Sequence, residues 1–218
     1  MPSWFDQEVD ALEQRTRSRR GEPNVVLFYG SSSFTLWHDM EAYFPAHNVV
    51  NHGFGGSTLR DCVEYFDRLV VALRPRVVVL YAGDNDLGDG GRPEGVLDCL
   101  RKIVARKRET LGGVPMAYVS IKVSPARFSI MHAIAYTNAI IERELADEGD
   151  DVRFVNVTRR MVGRGMEPLL SYYTEDPLHM NQEGYRLFGK AISSYLDDVE
   201  QQTGVLKVRA DTRRRPGC

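Results

Sequence analysis

The run Val25-Val26-Leu27-Phe28-Tyr29 passes without interruption into Gly30-Ser31-Ser32-Ser33, and that transition limits what the chain can fold into. A short continuous apolar run, rich in β-branched and aromatic residues and closed by a turn signal, reads as a buried strand of a parallel sheet. The glycine permits a sharp turn that a side chain would obstruct, and the serines are expected to cap the following helix with their hydroxyls. Such a turn holds a small hydroxyl at the carboxyl end of a buried strand, where open α/β sheets place their ligands. Taken alone, the stretch reads equally well as a strand followed by a serine N-cap. The rest of the chain decides between the two.

Strand and helix patterns alternate from end to end. Residues 1–20 form a lead-in segment, helical from Phe5 to Arg20, before Gly21 and Pro23. After the first strand, Phe34 to Trp37 continue as a helix expected to pack Leu36 and Trp37 inward, and Pro45 closes it. Val49 to Asn51 is a second strand that opens into His52-Gly53-Phe54-Gly55-Gly56-Ser57-Thr58. Ser57 or Thr58 caps a helix whose apolar residues Leu59, Val63, Phe66 and Val70 recur at helical spacing.

The third strand, Arg76 to Tyr81, ends in Ala82-Gly83-Asp84-Asn85-Asp86 and a glycine-rich loop through Gly91, and a helix begins near Pro93. Val114 to Ile121 is a fourth strand, about Ile130 to Asp147 a helix, and Val152 to Val157 a fifth strand. The final helix runs from near Asn181 to about Gln202. Alternation with short connections predicts a sheet of five parallel strands covered by helices on both faces.

The 218 residues suit one α/β domain with a sizeable core, spanning 1–218 with a flexible tail from about 204. A net charge of −2 provides no global field for nucleic acid or an anionic membrane, so neither is expected as a partner. The basic run Arg213-Arg214-Arg215 falls in the tail and reads as solvated. Cys62, Cys99 and Cys218 are widely spaced and show no metal-ligand pattern. Cys62 and Cys99 read as small core residues. No signal-peptide pattern precedes the lead-in helix and no apolar run approaches a membrane span, so a cytoplasmic location is expected.

Three strands end in loops rich in glycine and small polar residues: Gly30-Ser31-Ser32, Gly53 to Gly56, and Gly83-Asp84-Asn85-Asp86. In a parallel sheet all three emerge on one edge. They supply a hydroxyl, a backbone N–H that glycine leaves approachable, and an amide side chain. Converging on one point, these are the parts of an acyl-transfer site with an oxyanion hole. The serine needs a base, and His179 is the candidate, with Asp176 three residues earlier. On one helical turn, residues at that spacing share a face, so the carboxylate can hold one imidazole nitrogen while the other points at the serine.

With these four blocks in order, the chain resembles the SGNH (GDSL-type) serine hydrolases across nearly its whole length. Gly30-Ser31-Ser32 is similar to the first block, with Ser32 in the nucleophile position, although the usual aspartate before it is Ser31 here. Asn51 to Thr58 is similar to the second, with Gly56 at the oxyanion glycine. Gly83-Asp84-Asn85-Asp86 resembles the GxND block, with Asn85 as amide donor, and Asp176-Pro177-Leu178-His179 resembles the DxxH block. The resemblance implies an ester hydrolase built as a three-layer α/β/α sandwich of flavodoxin-like type, with Ser32, His179 and Asp176 as its triad. Its oxyanion hole is then formed by Ser32, Gly56 and Asn85.

The implied partner is a small-molecule ester, with short acyl groups such as acetyl favoured because short connections leave no obvious lid. No metal or organic cofactor is implied. His52, Asp84, Lys122 and Arg127 are further candidates to line the site. Lys122 and Arg127 flank Ser124-Pro125 beyond the fourth strand and suit either substrate contact or loop support. A thioesterase, an acyltransferase or a catalytically silent binding module with the same fold stays open as an alternative. Two other readings fail. Counting from Asp84, an EF-hand would need glycine at position 89 and glutamate at 95, where Asp89 and Gly95 stand. A phosphate loop of the GxxxxGK[ST] type is absent from the sequence.

Overall fold

A computed structural model describes residues 5–147 and 149–204. The elements, in chain order, are α1 (Asp6–Arg19), β1 (Val25–Gly30), α2 (Ser32–Thr35), α3 (Met40–Tyr43), β2 (Asn48–Gly53), α4 (Leu59–Glu64) and a π-helical turn over Asp67–Val71. They continue with β3 (Val77–Tyr81), α5 (Asp84–Gly88), α6 (Pro93–Leu111), β4 (Met116–Val119), a 3₁₀ segment Pro125–Ile130, α7 (Met131–Asp147) and β5 (Val152–Val155). Last come α8 (Thr158–Met161), a 3₁₀ turn Leu170–Tyr172 and α9 (Gln182–Thr203). The expected tail lies, from residue 205 on, outside the described residues, as do Arg213 to Arg215 and Cys218.

All five strands pair in parallel, in the order β2-β1-β3-β4-β5. The sheet begins in β1, steps out to β2, then crosses to β3 on the other side. The reversal falls between β1 and β3, and a crevice opens at that point beyond their carboxyl ends. Both central strands are buried along their full length, which is why their sequences are apolar without alternation.

Two cores result. Leu27, Tyr29, Val78, Leu80 and Tyr118 face α1, α4, α6 and α7 on one side. Val26, Phe28, Val77, Val79 and Val119 face α2, α3 and α9 on the other. Burying each such Val, Leu or Phe side chain contributes roughly 1.5–3 kcal/mol.

Helix ends follow their punctuation. Pro93 occupies the first turn of α6. Thr58 and Asp61 form a reciprocal capping box at α4. Asn181 caps α9 by accepting from the N–H groups of Glu183 and Gly184, and Gly204 closes it in the left-handed conformation.

Four local expectations are corrected. The helix expected from Leu59 through Val70 breaks into α4 and the π-helical turn. Part of the glycine-rich loop after β3 is the helix α5. Leu36 is 37% exposed, because the chain leaves α2 at its C-cap there and turns the next residue, Trp37, into the core instead. Ser31 occupies the N-cap position of α2 without a side-chain capping bond. Cys62 is buried, and Cys99 is only partly so.

Candidate active site

The first loop is held by backbone contacts that exclude any side chain at Gly30. Its φ is +142°, and a Cβ there would stand 1.9 Å from the Tyr81 carbonyl oxygen of the neighbouring strand. The Ser31 N–H donates to that same oxygen at 2.9 Å. The turn therefore runs tight against β3, and α2 starts at Ser32. Ser31 and Ser33 are buried, whereas Ser32 lies between them and is partly exposed.

The second loop is clamped onto the first. Asn51 donates from Nδ2 to the Phe34 carbonyl at 2.8 Å and accepts the Gly53 N–H on Oδ1 at 2.9 Å. A Cβ on Gly53 would meet the Thr35 nitrogen at 2.4 Å, so α2 sits directly on the Gly53 backbone. Gly56 follows with φ +76° and an exposed backbone. The third loop joins them through Asn85, whose Nδ2 donates to the Ser57 carbonyl at 3.0 Å. The Asp86 carboxylate accepts the Leu59 N–H at 2.8 Å and so adds a second tie, to the start of α4.

The fourth segment is not a helical turn. Asp176 to His179 form a tight turn in which the Asp176 carbonyl accepts the His179 N–H, while Asp176 Oδ1 accepts the Leu178 N–H at 3.0 Å. The other carboxylate oxygen lies 2.5 Å from His179 Nδ1. His179 Nε2 stands 3.2 Å from Ser32 Oγ, across 147 residues of sequence. The Leu178 N–H, and then His179, hold the Asp176 carboxyl below its usual range. A hydroxyl, an imidazole and a carboxylate connected in this order have the geometry of a nucleophile, its base and the group that orients the base.

A family model described as the GDSL-like Lipase/Acylhydrolase family matches residues 20–187, a span that includes all four loops. The chain belongs to this family. It is a hydrolase of the GDSL/SGNH type. Among solved structures, a GDSL-like lipase from Bacteroides thetaiotaomicron superposes with a TM-score of 0.71 at 22% identity, covering 89% of this chain and 96% of its own. A family 3 carbohydrate esterase from Clostridium thermocellum gives 0.67 at 18%, covering 83% and 98%. A carbohydrate esterase of family 3 from Talaromyces cellulolyticus gives 0.66 at 14%, covering 83% and 99%. At these identities the likeness is one of fold. No curated protein matches the chain.

Three residues expected to line the site of this hydrolase are inside the protein. His52 is 1% exposed, with Nδ1 2.8 Å from the Leu69 carbonyl and Nε2 3.1 Å from the Thr16 hydroxyl. Burial pulls its pKa down to about 4, so the ring is neutral. Strand parity accounts for its place, because side chains alternate across β2. Val50 and His52 face α1, and Asn51 faces α2.

Asp84 and Lys122 are 2% and 1% exposed and form a buried ion pair at 3.0 Å. Burial raises the Asp84 pKa, but the Lys122 ammonium outweighs it and the net shift is downward. This pair anchors the third loop, through Asp84, to the segment after β4. Arg127 is partly exposed on the 3₁₀ segment.

Residues outside the expected set also shape the site. Asn181 donates from Nδ2 to the carbonyls of Ser171 and Tyr173, and the Thr174 N–H donates to the His179 carbonyl, so the His179 turn is tied to the cap of α9. Asn138 holds both backbone groups of Ile121, next to Lys122. An asparagine just before an amphipathic helix was a readable cap signal, but its second task depends on contacts that no local pattern encodes. Among the described residues, no cluster of His, Cys, Asp and Glu is arranged to hold a metal, and no helix is long and apolar enough to cross a membrane.

Proposed function

We propose that this hydrolase is a serine esterase that cleaves short-acyl esters, acetyl esters among them, through an acyl-enzyme intermediate. The observation that carries the reading is the continuous chain Ser32 Oγ to His179 Nε2 at 3.2 Å and His179 Nδ1 to Asp176 at 2.5 Å. In this reading Ser32 Oγ attacks the ester carbonyl carbon while His179 Nε2 takes its proton. Asp176 holds the ring and stabilises the imidazolium that forms.

The oxyanion is met by the N–H groups of Ser32 and Gly56 and by Asn85 Nδ2. Neither backbone N–H makes a hydrogen bond among the described residues, and Asn85 uses one of its two amide hydrogens on Ser57. Collapse expels the alcohol, which takes the proton from His179. Water then attacks the acyl carbon with His179 again as base, releasing the acid and restoring Ser32. No step draws on a metal or an organic cofactor.

Solvent access favours water as the second acceptor over an alcohol or amine, since the Asp176 side chain is 57% exposed and that of His179 23%. Sugar esters fit as substrates because two structural neighbours are carbohydrate esterases. A fluorophosphonate probe tests the assignment. Mass spectrometry should place the adduct on Ser32, Ser32→Ala should abolish labelling, and Ser33→Ala should not. An adduct on Ser31 or Ser33 would overturn it. A series of 4-nitrophenyl esters should then show kcat/KM falling as the acyl chain lengthens beyond acetyl.

A further inference from the structure

We infer that the Arg127 guanidinium is a subsite for an anionic oxygen group, a carboxylate or a phosphate, on the ester that this hydrolase cleaves. The inference rests on the esterase reading above and deepens it by naming a charge on the substrate.

The first ground is position. The Pro125–Ile130 segment follows β4 at the carboxyl edge of the sheet, and its Ala126 N–H donates to the Pro177 carbonyl, within the Asp176 to His179 turn. The Arg127 side chain reaches the other way, onto α5. A Cβ built on Gly88 would lie 2.1 Å from the guanidinium carbon and 2.2 and 2.4 Å from its two terminal nitrogens. Gly88 is three residues after Asn85, so both lie on one face of α5, about 5 Å apart along its axis. The segment that carries Arg127 is thus tied to the turn carrying His179, while its guanidinium packs on the helix that carries Asn85.

The second ground is that the guanidinium is unused. Five N–H donors need acceptors when an arginine is partly buried, yet Arg127 takes part in none of the ion pairs among the described residues, and its Nε is buried without a hydrogen-bond partner. Elsewhere in the protein partly exposed arginines are matched, as Arg19 is with Glu22 and Arg153 with Asp198. The nearby carboxylate, Asp84, is already committed to Lys122 at 3.0 Å and to the Asn85 N–H at 3.1 Å. Two cations therefore stand against one buried anion beneath the loop. The uncompensated charge belongs to Arg127, whose planar fork matches a carboxylate or phosphate in bidentate fashion.

The third ground is Gly88. Nothing in the turn demands glycine by backbone angle, because α5 keeps ordinary helical geometry there and only Gly83, Gly90 and other glycines outside it have positive φ. The space a methyl group would take is filled by the guanidinium. Gly88 works as its seat.

Two matched pairs of substrates test this. The monoester of succinic acid with 4-nitrophenol is compared with its neutral methyl-capped form, which places the charge on the acyl side. 4-Acetoxybenzoate is compared with its methyl ester, which places the charge on the alcohol side. In one of the pairs the wild-type protein should prefer the anionic member by about tenfold or more in kcat/KM, the range a charge-assisted contact supports, and added salt should reduce that preference.

Arg127→Gln should lower the anionic-to-neutral ratio at least tenfold. Arg127→Lys should keep part of it. Gly88→Ala, which leaves the arginine in place but fills its seat, should lower the ratio as well. A wild-type ratio near one in both pairs, or a ratio that Arg127→Gln leaves unchanged, would overturn the inference while turnover of 4-nitrophenyl acetate upheld the esterase reading. Absence of turnover with every ester, together with no adduct on Ser32, would overturn both.

Discussion

Lys122→Met should destabilise the protein far more than any surface change, and its loss should depend on pH in a set direction. Lys122 and Asp84 are 1% and 2% exposed and stand 3.0 Å apart. At that distance, with an effective dielectric constant of about 20, their attraction is about 5 kcal/mol, against which the cost of removing both charges from water must be set. Methionine keeps most of the aliphatic volume but leaves the Asp84 carboxylate with the Asn85 N–H and the more distant Arg127 charge. Breaking a buried pair in this way costs about 3–5 kcal/mol. For a urea slope of about 2 kcal/mol/M, the unfolding midpoint falls by about 2 M, and the fluorescence of buried Trp37 provides a signal.

The pH dependence follows from the carboxylate. In the wild-type protein the Asp84 pKa is lowered, so its contribution is present above the unfolded value near 3.9 and is lost as pH falls through the folded one. In the variant an unpaired buried carboxyl has a raised pKa and regains stability on taking a proton. The gap between wild type and Lys122→Met should therefore narrow as pH falls from 7 towards 4. The double variant Asp84→Asn/Lys122→Met should recover at least about 2 kcal/mol of the loss, because it buries no charge. A single variant within 1 kcal/mol of wild type at pH 7, or strict additivity in the double variant, would refute this account of the pair.

Three further outcomes are expected. Asn85→Ala should lower kcat by about 10²–10³ with KM little changed, and steady-state kinetics showing kcat within threefold of wild type would remove Asn85 from the oxyanion role. Asp86 carries a pKa raised to about 6 from 3.8, chiefly by burial. Its ionisation therefore weakens folding as pH rises between those values, by up to about 3 kcal/mol at one pKa unit per 1.36 kcal/mol. Asp86→Asn can still accept the Leu59 N–H, and urea unfolding should find it more stable than wild type at pH 7 but not below pH 4. His52, with its pKa lowered from 6.5 to about 4, has the opposite sign. The unfolded chain takes up the proton first, so stability falls as pH drops from about 6.5 to 4, and proton NMR should show an uncharged His52 ring at pH 5.5.

The order of elements was readable because strand and helix periods differ and each junction carries its own punctuation. Val77 to Tyr81 is apolar without a break, α6 begins at Pro93, and α9 begins after Asn181. The four loops were readable for a related reason. Gly30 and Gly53 stand where backbones approach closely and Gly56 takes a positive φ, and both demands tolerate few substitutes. The parallel α/β layout and the set of chemical groups delivered to one edge of the sheet were therefore legible from residue order alone.

Direction of side chains was another matter. His52 stands four residues from Gly56, close to the site along the chain, but the pleat of β2 turns it towards Thr16 and Leu69. Lys122 and Asp84 are polar and lie near the site in sequence, yet each is the partner that lets the other be buried. A charged side chain is taken out of water only when an opposite charge is brought to it, and here that charge lies 38 residues away. The same holds for Ser32 and His179, which 147 residues separate. Which charges are hidden and which way His52 faces came from the packing of the fold alone, because both depend on distances between segments that no local pattern of residues specifies.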